Sequence, residues 1–253
     1  MTFAPTDQLL LQTLEARLRT LLPPEYQDAI QTVQPASMGS AGLKFGPDGR
    51  VAWNEIWATF CDLAMAGGPP HKGTLLEPAT PAKIAAQPHL YQQVTDEICR
   101  GITLTTNLPA EPSPHPGWVR IHCTTHTMAA WLLRAVTMEN VAVRSREGKT
   151  LDLPAGPAYR LEKEIKNVIT VIAKTCHYWQ GHIPPAQQQA IATTIEAMDA
   201  ETLLLQPTHG WQTLECESIS TAIRTMHLLV ASNILARREN TTVLIPLGQP
   251  KRT

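Results

Sequence analysis

Apolar residues recur along this chain in two rhythms. In "TDQLLLQTLEARLRTLL" the leucines at 10, 14, 18 and 21 return every three or four positions, which is the spacing of one helical face. Thr6 or Asp7 would cap such a helix, and Pro23-Pro24 would stop it. The same period predicts helices over 54–66, with Asn54 as cap, and over 91–108, 125–140, 159–182, 186–205 and 217–240. Alternating or β-branched runs bounded by glycine and proline predict strands in "GWVRIHC" (117–123) and "TTVLIPL" (241–247). Two further runs fold back on turn residues and predict hairpins: "SAGLKFGPDGRVAW" (40–53) and "VAVRSREGKTLDLPA" (141–155). The expected class is therefore α+β, or α/β if the strands run parallel, helix-rich around one sheet.

The proline-rich "PAEPSPHPG" (109–117) reads as a connector near the middle. It gives an N-terminal helical segment over 1–35, a first unit over 36–110 and a second over 118–253, all within one compact domain. A local pattern repeats across this division. "KGTLLEPATP", "GKTLDLPAGP" and "NTTVLIPLGQP" each place a proline soon after a threonine and an apolar residue, and "EICRGIT" (97–103) matches "EIKNVIT" (164–170) at four positions. This predicts a degenerate duplication of helix–strand–helix over 54–108 and 126–182, with a partial third copy at 217–250. The letters GKT at 148–150 are not a phosphate loop. Such a loop needs a glycine where Val143 stands and a helix where "LDLP" follows. A hairpin turn at Glu147-Gly148 is the reading that fits.

Composition narrows the function more than it defines it. Charged residues make up 17% of the chain and the net charge is -1, so no basic surface for nucleic acid is expected. No apolar run reaches the ~20 residues of a membrane span. The N-terminus lacks a basic leader and carries Asp7 and Glu15, so a signal peptide is not expected. The five cysteines sit in no CxxC pair and read as reduced thiols, which predicts a cytoplasmic protein.

Chemistry concentrates in two stretches. Cys123 ends a predicted strand beside a helix N-terminus, where unpaired N–H groups favour a thiolate, and His126 in the first turn would be its base. In the helix over 159–182, Ile165, Val168, Ile169, Ile172, Cys176 and Trp179 form an apolar face. Lys163, Asn167, Thr170, Lys174, His177 and Tyr178 form a polar stripe suited to a ligand, with His177 able to move protons. The loop "AGGPPHKGT" offers His71 and Lys72 to an anion, and Arg134 is a further cation for it. Arg100, Arg144 and Arg224 read as surface charges. His122, Cys123 and His126, like Cys176, His177 and His182, have metal-ligand chemistry, but neither spacing matches a structural zinc pattern and no metal site is assigned. The expectation is a protein binding a small, anionic molecule, as an enzyme using Cys123 and His126 or, in the other reading, as a binding or assembly module that is a homo-oligomer. No cofactor is indicated.

Overall fold

The computed structural model describes residues 5–22, 42–55, 75–145, 148–201 and 210–248. Helix α1 (Pro5–Leu21) begins before Thr6 and Asp7, so both lie in its first turn. Leu18 and Leu21 are buried while Leu10 is exposed, so only the C-terminal half of the leucine stripe meets the core. The predicted hairpin over 40–53 is present as an antiparallel bridge between Phe45 and Val51, turned by Gly49 at φ +71°. Residues 56–66 of the helix predicted over 54–66, and the His71–Lys72 loop, lie outside the described residues. Residues 56–74 of the first proposed copy therefore lie outside the described residues.

Helix α2 (Pro81–Ala86), capped by the Thr80 hydroxyl, leads into α3 (Pro88–Thr106), which ends where Asn107 turns left-handed at φ 58°. The "connector" then proves to be structural. Its residues Ala110–Pro112 form β1, which pairs antiparallel with β2 (Trp118–His122). Helix α4 (His126–Met138) follows, capped by the Thr125 side chain. The hairpin of β3 (Arg144–Ser145) and β4 (Thr150–Pro154) comes next, with Gly148 at φ +54° in the turn. Gly148 and Lys149 of the GKT letters thus lie in a turn, and Thr150 opens β4.

The long helix over 159–182 is a composite. Helix α5 (Lys166–His177) is flanked by π-helical turns at Leu161–Ile165 and Tyr178–His182. Its apolar face is buried as expected, from Ile165 to Trp179. Its opposite stripe is buried as well: Thr170, Lys174 and Tyr178 face protein, while Lys163 remains exposed. A helix enclosed on both sides runs through the middle of a core. It is crossed closely by α3, since a methyl group at Gly101 would overlap Ile169 Cδ1.

Helix α6 (Pro185–Glu201) precedes a strand that the hydropathy pattern does not announce, β5 (Trp211–Glu215). Helix α7 (Ile219–Ala231) is shorter than predicted. Asn233 takes a left-handed φ of 63°, and the chain turns into β6 (Arg237–Glu239) and β7 (Thr242–Pro246). The fold is α+β with two antiparallel sheets instead of one, ordered β1-β2-β4-β3 and β5-β7-β6.

Residues 117–156 and 210–248 share one plan. Trp118 pairs with Pro154 and His122 with Thr150; in the second stretch Trp211 pairs with Pro246 and Glu215 with Thr242. Arg144 lies opposite Asp152, as Arg237 lies opposite Leu244. Each has a helix of 13 residues behind a hydroxyl cap, Thr125 or Ser218. Each helix is closed by a left-handed asparagine, Asn140 or Asn233. The two are stitched together there: Asn140 Nδ2 donates to the Arg238 carbonyl at 2.5 Å, and the Arg238 amide donates to Asn140 Oδ1 at 2.9 Å.

Candidate functional site

Polar side chains converge where α4, α5, α6 and α7 meet. The organising residue is Arg134, whose position on α4 projects it between α6 and α7. Its Nη1 donates to the Ala130 carbonyl at 2.9 Å, and its Nη2 to Asp199 Oδ1 at 2.9 Å and Asn233 Oδ1 at 2.5 Å. Its Nε has no hydrogen-bond partner among the described residues. The side chain is only 2% exposed, whereas that of Asp199 is 40% exposed. Burial pulls the Arg134 pKa down and the Asp199 carboxylate pulls it back up.

On one side of Arg134 a cleft of about 330 Å³ opens to solvent between α4, the β3–β4 hairpin and α6. His126, Thr127, Gly148, Glu196 and Asp199 border it. On the other side lies a small cavity of about 30 Å³, lined by Leu21, Trp131, Glu139, Lys174, Tyr178 and His227. That volume suits a single water molecule. Lys174 Nζ bonds Glu139 Oε1 there, and Glu139 Oε2 has no hydrogen-bond partner among the described residues. Burial raises the Glu139 pKa and lowers that of Lys174, while each partner opposes the shift of the other. His227 is buried and its pKa falls to about 4, first through burial and then through the Arg238 charge. Arg134 and His227 occupy matching positions in the two repeated stretches, so the inner cavity is built across their junction.

The structure therefore gathers Arg134, Lys174 and Tyr178 around one small cavity and sets His126 in the cleft outside it. Cys123 borders neither space, and burial pushes its thiol up to about 12. The low-pKa thiol expected at the helix terminus is not what this fold provides. The Cys123 amide donates to the Lys149 carbonyl, ending the β2–β4 ladder, and the side chain enters the core. Asn167 is half-buried and borders neither space, and His177 lies beside His182 at the far end of α5. His71 and Lys72 lie outside the described residues. Glu139, Asp199 and His227 were not visible as site residues in the sequence. Their one signal is that Glu139 sits beside the asparagine that ends α4, and its partner Lys174 is 35 residues away.

Among the described residues no helix is long and apolar enough to cross a membrane, and no group of three or more His, Cys, Asp or Glu is placed to hold a metal ion. Compared with protein-family models, curated proteins and solved structures, the chain gives no significant match.

Proposed function

We propose that this is a cytoplasmic protein that binds a small molecule in the cleft beside Arg134, with an acidic group of the ligand directed at the guanidinium. The observation that supports this reading most is the state of Arg134. It is a buried cation at the floor of an open cleft, with one N–H uncommitted among the described residues and its counter-charge on a half-exposed side chain. A ligand carboxylate or phosphate that displaces Asp199 recovers a bidentate, charge-assisted pair with a guanidinium that is itself buried. His126 at the rim adds a second donor, while Glu196 and Asp199 favour a ligand that also carries an amine. No covalent step is assigned to Cys123, because a neutral buried thiol is a poor nucleophile.

A thermal-shift panel of small carboxylates, phosphates and amino acids tests the proposal. A ligand present at ~100 times its dissociation constant adds about 2.7 kcal/mol to stability. The shift should be lost in Arg134→Gln and reduced in His126→Ala. A panel that shifts nothing removes this reading and leaves an assembly module. That second reading draws on a groove of about 420 Å³ bordered by Phe45, Leu90, Pro157 and Tyr159, where Phe45 is 58% and Leu90 47% exposed. Sedimentation of the wild type against Phe45→Ser then decides whether copies of the chain associate through that groove.

A further inference from the structure

The π-helical turn at Tyr178–His182 brings together two histidines that an α-helix would keep apart. Five steps of about 100° carry the chain about 140° past a full turn, so positions five apart on an α-helix face different directions. In the π turn the amide of Ile183 reaches back five residues to the carbonyl of Tyr178 at 2.9 Å. The wider ring stacks position 182 on position 177. The result is an approach of 2.9 Å between His177 Nε2 and His182 Nε2, with ring centroids 4.7 Å apart and planes inclined at 56°. Single π turns of this kind are frequent at functional sites. Both rings are half-buried and reachable from solvent.

From this geometry we infer that His177 and His182 form a bidentate site for a late first-row divalent metal ion, Cu²⁺ or Ni²⁺. Imidazole nitrogens bind such ions at ~2.0–2.1 Å. Two nitrogens at that distance, subtending a right angle, are ~2.9 Å apart; a tetrahedral angle would hold them at ~3.3 Å. The observed 2.9 Å is close to both spans, and imidazole ligands hold Cu²⁺ and Ni²⁺ more tightly than the earlier first-row divalent ions. Cys176 is not a third ligand. It is 1% exposed on the core face, where burial drives its thiol pKa well above the ordinary value. Water completes the coordination. Between the two rings one nitrogen donates and the other accepts, because two N–H groups cannot point at each other.

Cu²⁺ alone, titrated into the full-length protein, provides the test, with affinity read by calorimetry and coordination by electron paramagnetic resonance. The wild type should take up one tightly held equivalent with a two-nitrogen imidazole pattern. His182→Gln and His177→Gln should each weaken that site at least tenfold and reduce the pattern to one nitrogen. His115→Gln, an exposed histidine elsewhere, should leave both readouts unchanged. Affinity within twofold of wild type in both His177 and His182 variants would place the ion elsewhere and overturn the assignment. The same holds if the wild-type protein shows no binding tighter than those variants. Circular dichroism of each variant checks that the helix is retained, so that lost binding is not lost fold.

Discussion

Residues 117–156 and 210–248 fold to the same hydrogen-bonded frame and fill it with different chemistry. In the first, Asp152 is fully buried between Arg120 and Arg144, both at 3.0 Å, and Arg144 stacks on Trp118 at 4.0 Å. In the second, the matching positions are Leu244, Thr213, Arg237 and Trp211. With no aspartate to meet it, Arg237 lies 3.9 Å from Glu77 and 5.9 Å from the Trp211 ring, and its Nε and Nη1 have no hydrogen-bond partner among the described residues. The other face differs too. Val119 and Ile121 are sealed under α3, whereas Leu214, at the place of Ile121, is 44% exposed. The frame depends on backbone features that both stretches keep: the hydroxyl cap, the left-handed asparagine, and the tryptophan paired with proline. What the inward positions carry depends on what covers them. The candidate site lies at the junction, where the frame is shared and the side chains differ.

The sharpest contrast lies at the end of each helix. Glu139 and Ser232 occupy matching positions, but only Glu139 holds a buried ion-pair partner. Glu139→Ala should cost about 3–5 kcal/mol in urea denaturation, because it strands the Lys174 ammonium in the core. Ser232→Ala, which loses one hydrogen bond to the Leu229 carbonyl, should cost about 1 kcal/mol. Similar losses at both positions would mean that the Lys174–Glu139 pair is not a feature of the folded core.

A second contrast compares the two arginines. Arg144→Met should destabilise by about 2–3 kcal/mol, since the fully buried Asp152 loses one of the two guanidinium charges that flank it. Arg237→Met should change stability by less than about 1 kcal/mol or raise it, because the side chain has few bonds to lose. A third effect is a pH slope. His227 has a folded pKa of about 4 against an ordinary 6.5, so the unfolded chain takes up its proton first. Its contribution to stability is complete above pH ~6.5 and is lost as the pH falls towards 4, at roughly 1.4 kcal/mol per pH unit where the slope is steepest. His227→Leu should flatten the stability profile between pH 6.5 and 4.5. The corresponding substitution at Arg134 should leave the slope in place.

Much of the frame was legible in residue patterns. The glycine turns at 49 and 148, the strands ending at Pro154 and Pro246, and the buried face of α5 follow from period and turn chemistry alone. Two strands were not. Ala110–Pro112 is polar and proline-containing, and its pairing is supplied by β2. Trp211–Glu215 has almost no alternation, because both its faces are largely exposed. The end of α7 was missed because "LLVASNILARR" keeps its helical period past Asn233. Only the backbone reveals that this asparagine is left-handed. The site was half legible. Arg134, Lys174 and Tyr178 stand out as cations or as part of a polar stripe, but the same period gives no sign that this stripe is buried. Cys123 misled for the opposite reason: a strand end beside a helix start favours a thiolate only if water or a cation reaches it.

The central claim is that Arg134, at the junction, reads an acidic ligand, while the equally buried Arg237 does not. Calorimetric titration of the most stabilising acid from the panel into wild type, Arg134→Gln and Arg237→Gln measures this directly. The expected result is a loss of affinity of at least tenfold for Arg134→Gln, or about 1.4 kcal/mol, with Arg237→Gln within twofold of wild type. Equal affinity in all three proteins, or a loss confined to Arg237→Gln, would contradict it.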